Sequence, residues 1–267
     1  MMSYFGFLLR FLVIPIVILL GLLWWDRRRG RETAVSLRSW PISWSIGLHV
    51  LVALIYTTPW DNYLVATNVW WYDPALVTGL TLGWVPIEEY TFFVLQPILA
   101  GLWLAFWARR QPVSSRMTDD GLRMRIWSVA LLGIVWLGTA VLLITGWKPG
   151  TYLALELIWA LPPIALQLGF GADILWRYRR LVLATIVPLT LYLSFADALA
   201  INWGTWTIDP AQSLNIYLGG VLPVEEFIFF LLTNTLVTFG VVLVWAEASH
   251  KRLAALKRWL ARPVFSN

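Results

Sequence analysis

The feature that most limits what this chain can become is a succession of apolar runs, joined by connectors too short to fold alone. About 20 apolar residues cross a bilayer as a helix. Seven such runs are legible: Tyr4–Trp25, Ile42–Thr58, Leu76–Trp107, Ile126–Trp147, Thr151–Trp176, Leu181–Ala200 and Ile216–Ala246. The 267 residues are 59% hydrophobic and 13% charged, whereas soluble domains carry roughly 25% charged residues. The expectation is an all-α polytopic membrane protein with about seven transmembrane helices.

At 1.5 Å per residue the third and seventh runs would each reach about 50 Å, too long for one straight crossing. Gly83 with Pro86, and Gly219 and Gly220 with Pro223, offer breaks. A short re-entrant or interfacial piece is expected before each helix proper. The first turn of each helix then holds a duplicated motif. Pro86-Ile87-Glu88-Glu89-Tyr90-Thr91-Phe92-Phe93 matches Pro223-Val224-Glu225-Glu226-Phe227-Ile228-Phe229-Phe230. A carboxylate in a membrane span is expensive to bury and by default marks a functional site.

Basic residues set the expected orientation. Eighteen of the 20 Lys and Arg fall on one side, following runs one, three, five and seven, while Lys148 lies opposite and Arg10 within the first run. The N-terminus is therefore expected outside and the C-terminus in the cytoplasm, as in a multi-pass protein of a prokaryotic cell membrane. The net charge of +5 is a topology signal rather than a nucleic-acid footprint. With no basic residue before Arg10 and no small-residue cleavage site after it, the first run reads as a retained span.

The duplication extends beyond the glutamates. Asp61 and Asp197, Trp70 and Trp206, and Asp73-Pro74 and Asp209-Pro210 all lie 136 positions apart, and from Pro86 and Pro223 onward the offset is 137. Tyr4 and Pro15 correspond to Tyr152 and Pro163 at an offset of 148. Runs one to three thus pair with runs five to seven, and run four reverses direction between them. The expected plan is two parallel three-helix repeats joined by one helix (3+1+3), with a shared site between them. Its parts are residues 1–108, a connector over 109–150, residues 151–250 and a basic tail over 251–267. Asp61, Asp73, Glu88, Glu89, Asp197, Asp209, Glu225 and Glu226 would then gather in one leaflet.

Each candidate has a plain reading beside the functional one. The Glu pairs could simply favour a helix dipole, but that needs neither a second carboxylate nor a duplicate. A carboxyl desolvated among apolar side chains holds its proton more tightly, which suits it to act as an acid. Phe92, Phe93, Phe229 and Phe230 could be helix packing, or could stabilise a carbocation with their ring faces. Asp61 and Asp197 read either as water-exposed interfacial residues or as partners that orient the glutamates. Asp73 and Asp209 read as turn starters. Glu156 could line the site or bond across helices, His49 is a polar contact of run two, and Asp119-Asp120 a solvated loop pair.

Several chemistries fail on composition. No cysteine is present, excluding disulfides, thiolate metal sites and thiol catalysis, and His49 and His250 alone cannot build a His-based metal centre. No Lys sits within a run to anchor retinal. Neither Asp61 nor Asp197 has a second Asp four residues on, as a prenyl-diphosphate magnesium site requires. Phe93 stands where a Glu-Glu-x-x-x-Arg protease needs Arg, and no Gly-x-Gly-x-x-Gly follows a strand. Proton chemistry on an apolar molecule, or transport, remains.

The runs Tyr56-Thr57-Thr58-Pro59-Trp60-Asp61-Asn62-Tyr63, Trp70-Trp71-Tyr72 and Val85 to Phe93, with Leu222 to Phe230 in the second half, resemble the lycopene cyclase domain family. That family comprises heterodimeric bacterial, fused archaeal and fungal bifunctional cyclases. With two halves in one chain, the likeness is to the fused form. It departs in the first helix, where the family often has a Glu matching Glu156 and this chain offers Leu8 and Arg10. The resemblance implies redox-neutral cyclisation of the ψ end groups of lycopene to β-ionone rings (γ-carotene, β-carotene) without a flavin, metal or other cofactor. It implies catalytic roles for Glu88, Glu89, Glu225, Glu226, Asp61 and Asp197, and substrate contacts for Phe92, Phe93, Phe229, Phe230, Trp70, Trp206 and Tyr90. The expected partners are a linear carotenoid arriving from the lipid phase and membrane lipid, and no nucleic acid. Two alternatives stand beside it: a small-molecule or proton-coupled transporter of 3+1+3 build, and another carotenoid end-group enzyme such as a hydratase. A transporter site would be polar and near the midplane, whereas a cyclase site would be aromatic, off-centre and open to lipid.

Overall fold

A computed structural model describes residues 1–111 and 121–260; Arg116, Asp119, Asp120 and Arg262 lie outside the described residues. Seven helices among those residues are long and apolar enough to cross a membrane. They are α1 (Tyr4–Arg28), α2 (Ile42–Ala66), α3 (Ile87–Ala108), α4 (Gly121–Thr145), α5 (Thr151–Arg177), α6 (Arg179–Asn202) and α7 (Val224–Trp245). A further helix, α8 (Glu247–Leu260), carries Lys251, Arg252, Lys257 and Arg258. Among the described residues the protein is all-α apart from three short ladders between helices.

Helices α3 and α7 form the centre. Each packs on three or more other helices, and they touch each other, with the buried Gln96 Nε2 donating to Asn234 Oδ1 at 2.8 Å. Helix α4 leans chiefly on α5 and leaves most of its surface exposed. At the end of α1, Arg110 clasps the buried Asp26 with bonds of 2.6 and 2.8 Å. The second half repeats the device, Arg252 holding Asp173 at 2.9 and 2.5 Å.

Prolines inside the spans explain several cross-helix contacts. A proline has no N–H, so the carbonyl four residues before it loses its helical donor, and a membrane helix must re-satisfy that oxygen locally. Pro163 frees the Trp159 carbonyl, which accepts from Tyr56 Oη at 2.8 Å. Pro15 frees the Phe11 carbonyl for Tyr192 Oη at 3.0 Å. Pro162 leaves the Ile158 carbonyl to Trp136 Nε1, and Pro188 leaves that of Ala184 to Trp103 Nε1, both at 3.2 Å. Aromatic donors thus bolt neighbouring helices together at proline positions.

One expectation is corrected and another takes a definite form. The second span does not stop at Thr58: α2 continues through Pro59 to Ala66. Thr58 Oγ1 donates to the Leu54 carbonyl at 2.5 Å and Asn62 Nδ2 to the Thr58 carbonyl at 2.9 Å, one on either side of the Ile55 carbonyl that the proline leaves without its helical donor. The short pieces expected before α3 and α7 are β-hairpins. β2 (Thr81–Leu82) pairs with β3 (Val85–Pro86), and β5 (Tyr217–Leu218) with β6 (Leu222–Pro223). Gly83 turns the first hairpin at φ +70°, where a Cβ would sit 2.2 Å from Asn62 Oδ1, the atom that accepts from Trp84 N at 2.8 Å. The second turn uses Gly219 and Gly220 at φ +60° and +76°. The inserted residue lies in this turn, since Leu82 and Leu218 are 136 apart but Val85 and Leu222 are 137 apart.

The third ladder joins the halves. β1 (Trp70–Tyr72) runs antiparallel to β4 (Trp206–Ile208), with Trp71 opposite Thr207. Flanking bonds match across the 136-residue offset: Asp73 N donates to the Thr205 carbonyl at 3.2 Å, and Asp209 N to that of Val69 at 2.8 Å. Both aspartates start turns as expected, Ala75 N and Ala211 N each donating to Oδ1 at 2.9 Å.

Candidate active site: one acidic chamber between the halves

Adjacent helical residues point about 100° apart, and the two glutamates of each pair have separate surroundings. Glu88 turns back on the loop before its hairpin, its Oε1 accepting from Thr78 N at 2.6 Å. Glu225 does the same, accepting from Leu214 N at 2.7 Å and Ser213 Oγ at 3.1 Å. The expectation that all four glutamates face one cavity is therefore corrected for Glu88 and Glu225. Each ties a loop to a helix start, where the dipole favours a negative charge.

Glu89 and Glu226 do meet, and they meet in a single chamber. Asp61 and Asp197 line it with them. Neither aspartate is water-exposed at an interface: both are 1% exposed, because α2 and α6 carry them into the interior. The chamber holds about 50 Å³ of free space and no Lys, Arg or His among its lining residues. Its walls include Phe92, Phe93, Phe229, Phe230, Trp70 and Trp206, six of the residues expected to touch substrate. The seventh, Tyr90, stands outside. Its hydroxyl accepts from Asn62 Nδ2 at 2.9 Å and donates to the Leu82 carbonyl at 2.8 Å, pinning the hairpin.

Hydrogen bonds separate the four acids. Glu89 Oε2 accepts from two phenols, Tyr4 and Tyr72, the latter at 3.0 Å. Glu226 Oε1 accepts from Tyr152 at 2.8 Å. Asp197 Oδ1 accepts from Trp206 Nε1 at 2.9 Å while its Oδ2 has no partner, and neither oxygen of Asp61 has one. Tyr72 lies on β1, outside the spans. Burial, then the charge of Glu89, holds its phenol well above the usual range, so it stays a donor. Among the described residues no cluster of three or more His, Asp or Glu is arranged to hold a metal ion.

Sequence reasoning missed Tyr4, Tyr72, Tyr152, Phe7 and Trp60 as lining residues. Tyr4 and Tyr152 did carry a signal, as the anchors of the 148-residue offset, and each holds the second glutamate of its own half. Glu156, one turn after Tyr152, is fully buried with both oxygens unpartnered, and it is not among the residues lining the chamber. Its counterpart Leu8 is buried too. His49 makes a polar contact, its Nδ1 lying 2.7 Å from the Ser45 carbonyl. A second, apolar cavity of about 300 Å³ borders the chamber, with Phe92, Phe93 and Phe229 lining both.

A family model described as lycopene cyclase matches residues 4–107 and 149–245, the segments on either side of α4. The lycopene beta-cyclase of Halobacterium salinarum strain R1 is 38% identical over 225 residues, covering 84% of this chain and 87% of that protein. The bifunctional lycopene cyclase/phytoene synthase of Aspergillus niger is 34% identical over 201 residues, covering 72% of this chain and 33% of the longer fungal protein. No solved structure matches. With both halves matched around one acidic chamber, the chain belongs to the lycopene cyclase family.

Proposed function

We propose that this protein catalyses the redox-neutral, acid-catalysed cyclisation of the ψ end groups of lycopene to β-ionone rings. One observation carries the reading: four carboxyl groups converge in an aromatic-walled chamber that no basic side chain lines. Ionising all four would place like charges together in an apolar space, so part of the set is favoured as the neutral acid. A neutral carboxylic acid among aromatic walls suits protonation of an alkene.

The reaction balances without an oxidant or reductant. The acid delivers a proton to C2 of the terminal alkene, leaving a tertiary cation at C1. The C5=C6 electron pair then forms the C1–C6 bond and moves the cation to C5. Loss of the C6 proton to a carboxylate restores C5=C6 within the ring. Asp61, without any hydrogen bond to stabilise its anion, fits the donor. Glu89, clamped by Tyr4 and Tyr72, fits the base, because two phenol donors favour a carboxylate. Glu226 and Asp197 would hold matching roles, and the ring faces around them would shield the cation from water and stabilise it.

The same reading takes the chain as two parallel triplets, α1–α3 and α5–α7, joined by α4. The matched offsets and paired contacts support it. It places the N-terminus outside, the chamber in the outer leaflet and the Arg-rich ends in the cytoplasm, in a prokaryotic cell membrane whose lipid delivers the carotene. A carrier would need a polar site near the midplane, whereas this chamber is aromatic and lies where α3 and α7 begin.

Expression in cells that accumulate lycopene, followed by pigment chromatography, is the test. Cyclised carotene formed without added flavin or nicotinamide is expected. Unchanged lycopene despite verified membrane expression would overturn the reading, and hydroxylated product would mark a hydratase instead.

A further inference from the structure

We propose that the apolar groove between α1 and α2, at the Arg-rich end of the molecule, binds one anionic phospholipid, its phosphate held by Arg27 and Arg109 and an acyl chain laid along α3.

Helices α1 and α2 both pack on α3, and between them they leave a groove of about 580 Å³. Its floor is closed: Leu23, Ile46, Leu102 and Ala105 line it and are buried. Its rim is open, with Leu20 and Trp24 of α1 and Gly47 of α2 all exposed. Along α3 the groove runs from Ile98 to Arg109, about 16 Å of helix at 1.5 Å per residue. That is close to half of a hydrocarbon core about 30 Å thick, the depth of one leaflet. A slot of this depth suits an acyl chain and offers nothing to a free anion.

Charge is confined to the shallow end. Arg27, in the last turn of α1, and Arg109, just past α3, line the mouth, and no carboxylate lines the groove with them. Arg109 Nη1 donates to the Leu23 carbonyl at 2.7 Å, and neither arginine has an ion-pair partner among the described residues. Asp26, the residue before Arg27, is already taken by Arg110 at 2.6 Å, with Arg31 at 3.6 Å. Burial, then the charge of Arg27, lower the Arg109 pKa from its ordinary value, yet a guanidinium stays charged at any working pH. Two like charges at the mouth of an apolar slot therefore lack a counter-ion. A phosphodiester supplies one through charge-assisted bonds. The start of α2 reaches the same mouth through Ile42 and Ser43 and has no side-chain cap, so its free N–H groups add to the attraction for phosphate. Trp24, with Arg28 over its ring at 4.3 Å, fits the level where headgroups meet tails. In the orientation proposed above this end lies in the cytoplasmic leaflet, where basic pockets between spans collect anionic lipid.

The test uses the full chain purified in a neutral detergent, with phosphatidylglycerol as the probe lipid. Native mass spectrometry should show one phosphatidylglycerol retained per chain at concentrations where phosphatidylcholine is lost. The melting temperature should rise more with phosphatidylglycerol than with phosphatidylcholine. Arg27→Gln with Arg109→Gln should weaken retention at least tenfold and remove that difference. Arg27→Gln alone breaks no hydrogen bond among the described residues and should still weaken retention several-fold, which keeps the site testable if the double variant does not fold. Gly47→Phe places a ring in open space and should exclude the lipid with both arginines intact. Lys257→Gln, on α8, is the control and should retain lipid as the unaltered chain does. Equal retention in the control and the double variant would reduce the effect to surface charge and overturn the site. Phosphatidylcholine held as tightly would overturn it too, as would full protection by inorganic phosphate alone. Unchanged retention in Gly47→Phe would remove the lipid from this groove. None of these measurements involves carotene, so their failure leaves the cyclase reading untouched.

Discussion

At the residue scale, the motif was legible and its division of labour was not. Glutamates next to each other on a helix cannot share one target, but which of them faces the neighbouring helices depends on the phase at which each hairpin hands over to its helix. That phase is set by the bonds from Thr78 and Leu214, ten and eleven positions before Glu88 and Glu225. The division yields a prediction. Glu88→Gln keeps an oxygen to accept from Thr78 N and should leave the rate within a few-fold, whereas Glu89→Gln removes the carboxylate proposed to take the substrate's proton. Losing it should slow cyclisation by about 10²–10⁴, measured per mole of folded, membrane-inserted protein. A second prediction concerns the missed tyrosines. Tyr4→Phe deletes one of two phenols bonded to Glu89. A hydrogen bond to a charged group contributes about 1.5–3 kcal/mol, so a ten- to hundredfold slower rate is expected, with Tyr72→Phe in the same range. No local pattern could have revealed this contact, since 85 positions separate Tyr4 from Glu89.

At the scale of elements, apolar length located the spans well and their ends poorly. The second span appeared to stop at Pro59 because proline terminates most helices in water. Here the helix continues past it to Ala66, and that extension is what buries Asp61. The over-long third and seventh runs were correctly divided at their glycines, yet the leading pieces are hairpins that composition alone does not distinguish from interfacial helix. Gly83 gives these hairpins a measurable consequence. Gly83→Ala would have to adopt φ +70° and also push Asn62 away from the Trp84 N–H. The left-handed conformation alone is unfavourable by roughly 1–2 kcal/mol. Gly220→Ala meets open space and has only that strain to bear. Thermal melts in detergent should therefore show the larger drop for Gly83→Ala, together with reduced activity, because the Asn62 and Tyr90 contacts hold this hairpin against α2 and α3.

At the scale of the whole molecule, the repeat was read from constant offsets, but the offsets do not say that the halves share a site. That depends on β1 pairing with β4 across the chain and on α3 packing against α7, both contacts far apart in sequence. The basic residues carry the expected orientation, and two of them also act as clasps: Arg110 on Asp26 and Arg252 on Asp173. Removing the buried aspartate leaves a partly buried arginine uncompensated, at a cost below the roughly 3–5 kcal/mol of a fully buried pair, so Asp26→Ala and Asp173→Ala should each lower the melting temperature beyond a surface change. Orientation has its own test. Seven crossings place the two termini on opposite sides, and Lys and Arg in short loops favour the cytoplasmic face. A reporter active only in the cytoplasm should work when fused after α8 and fail when fused before α1. A reporter active only outside should give the reverse, and a cysteine introduced at Lys148, between α4 and α5, should react with an impermeant thiol reagent from outside. Termini on the same side would mean that one span does not cross. The two triplets would then run in opposite senses, and Asp61 and Asp197 could not both approach the chamber from the same face of the membrane.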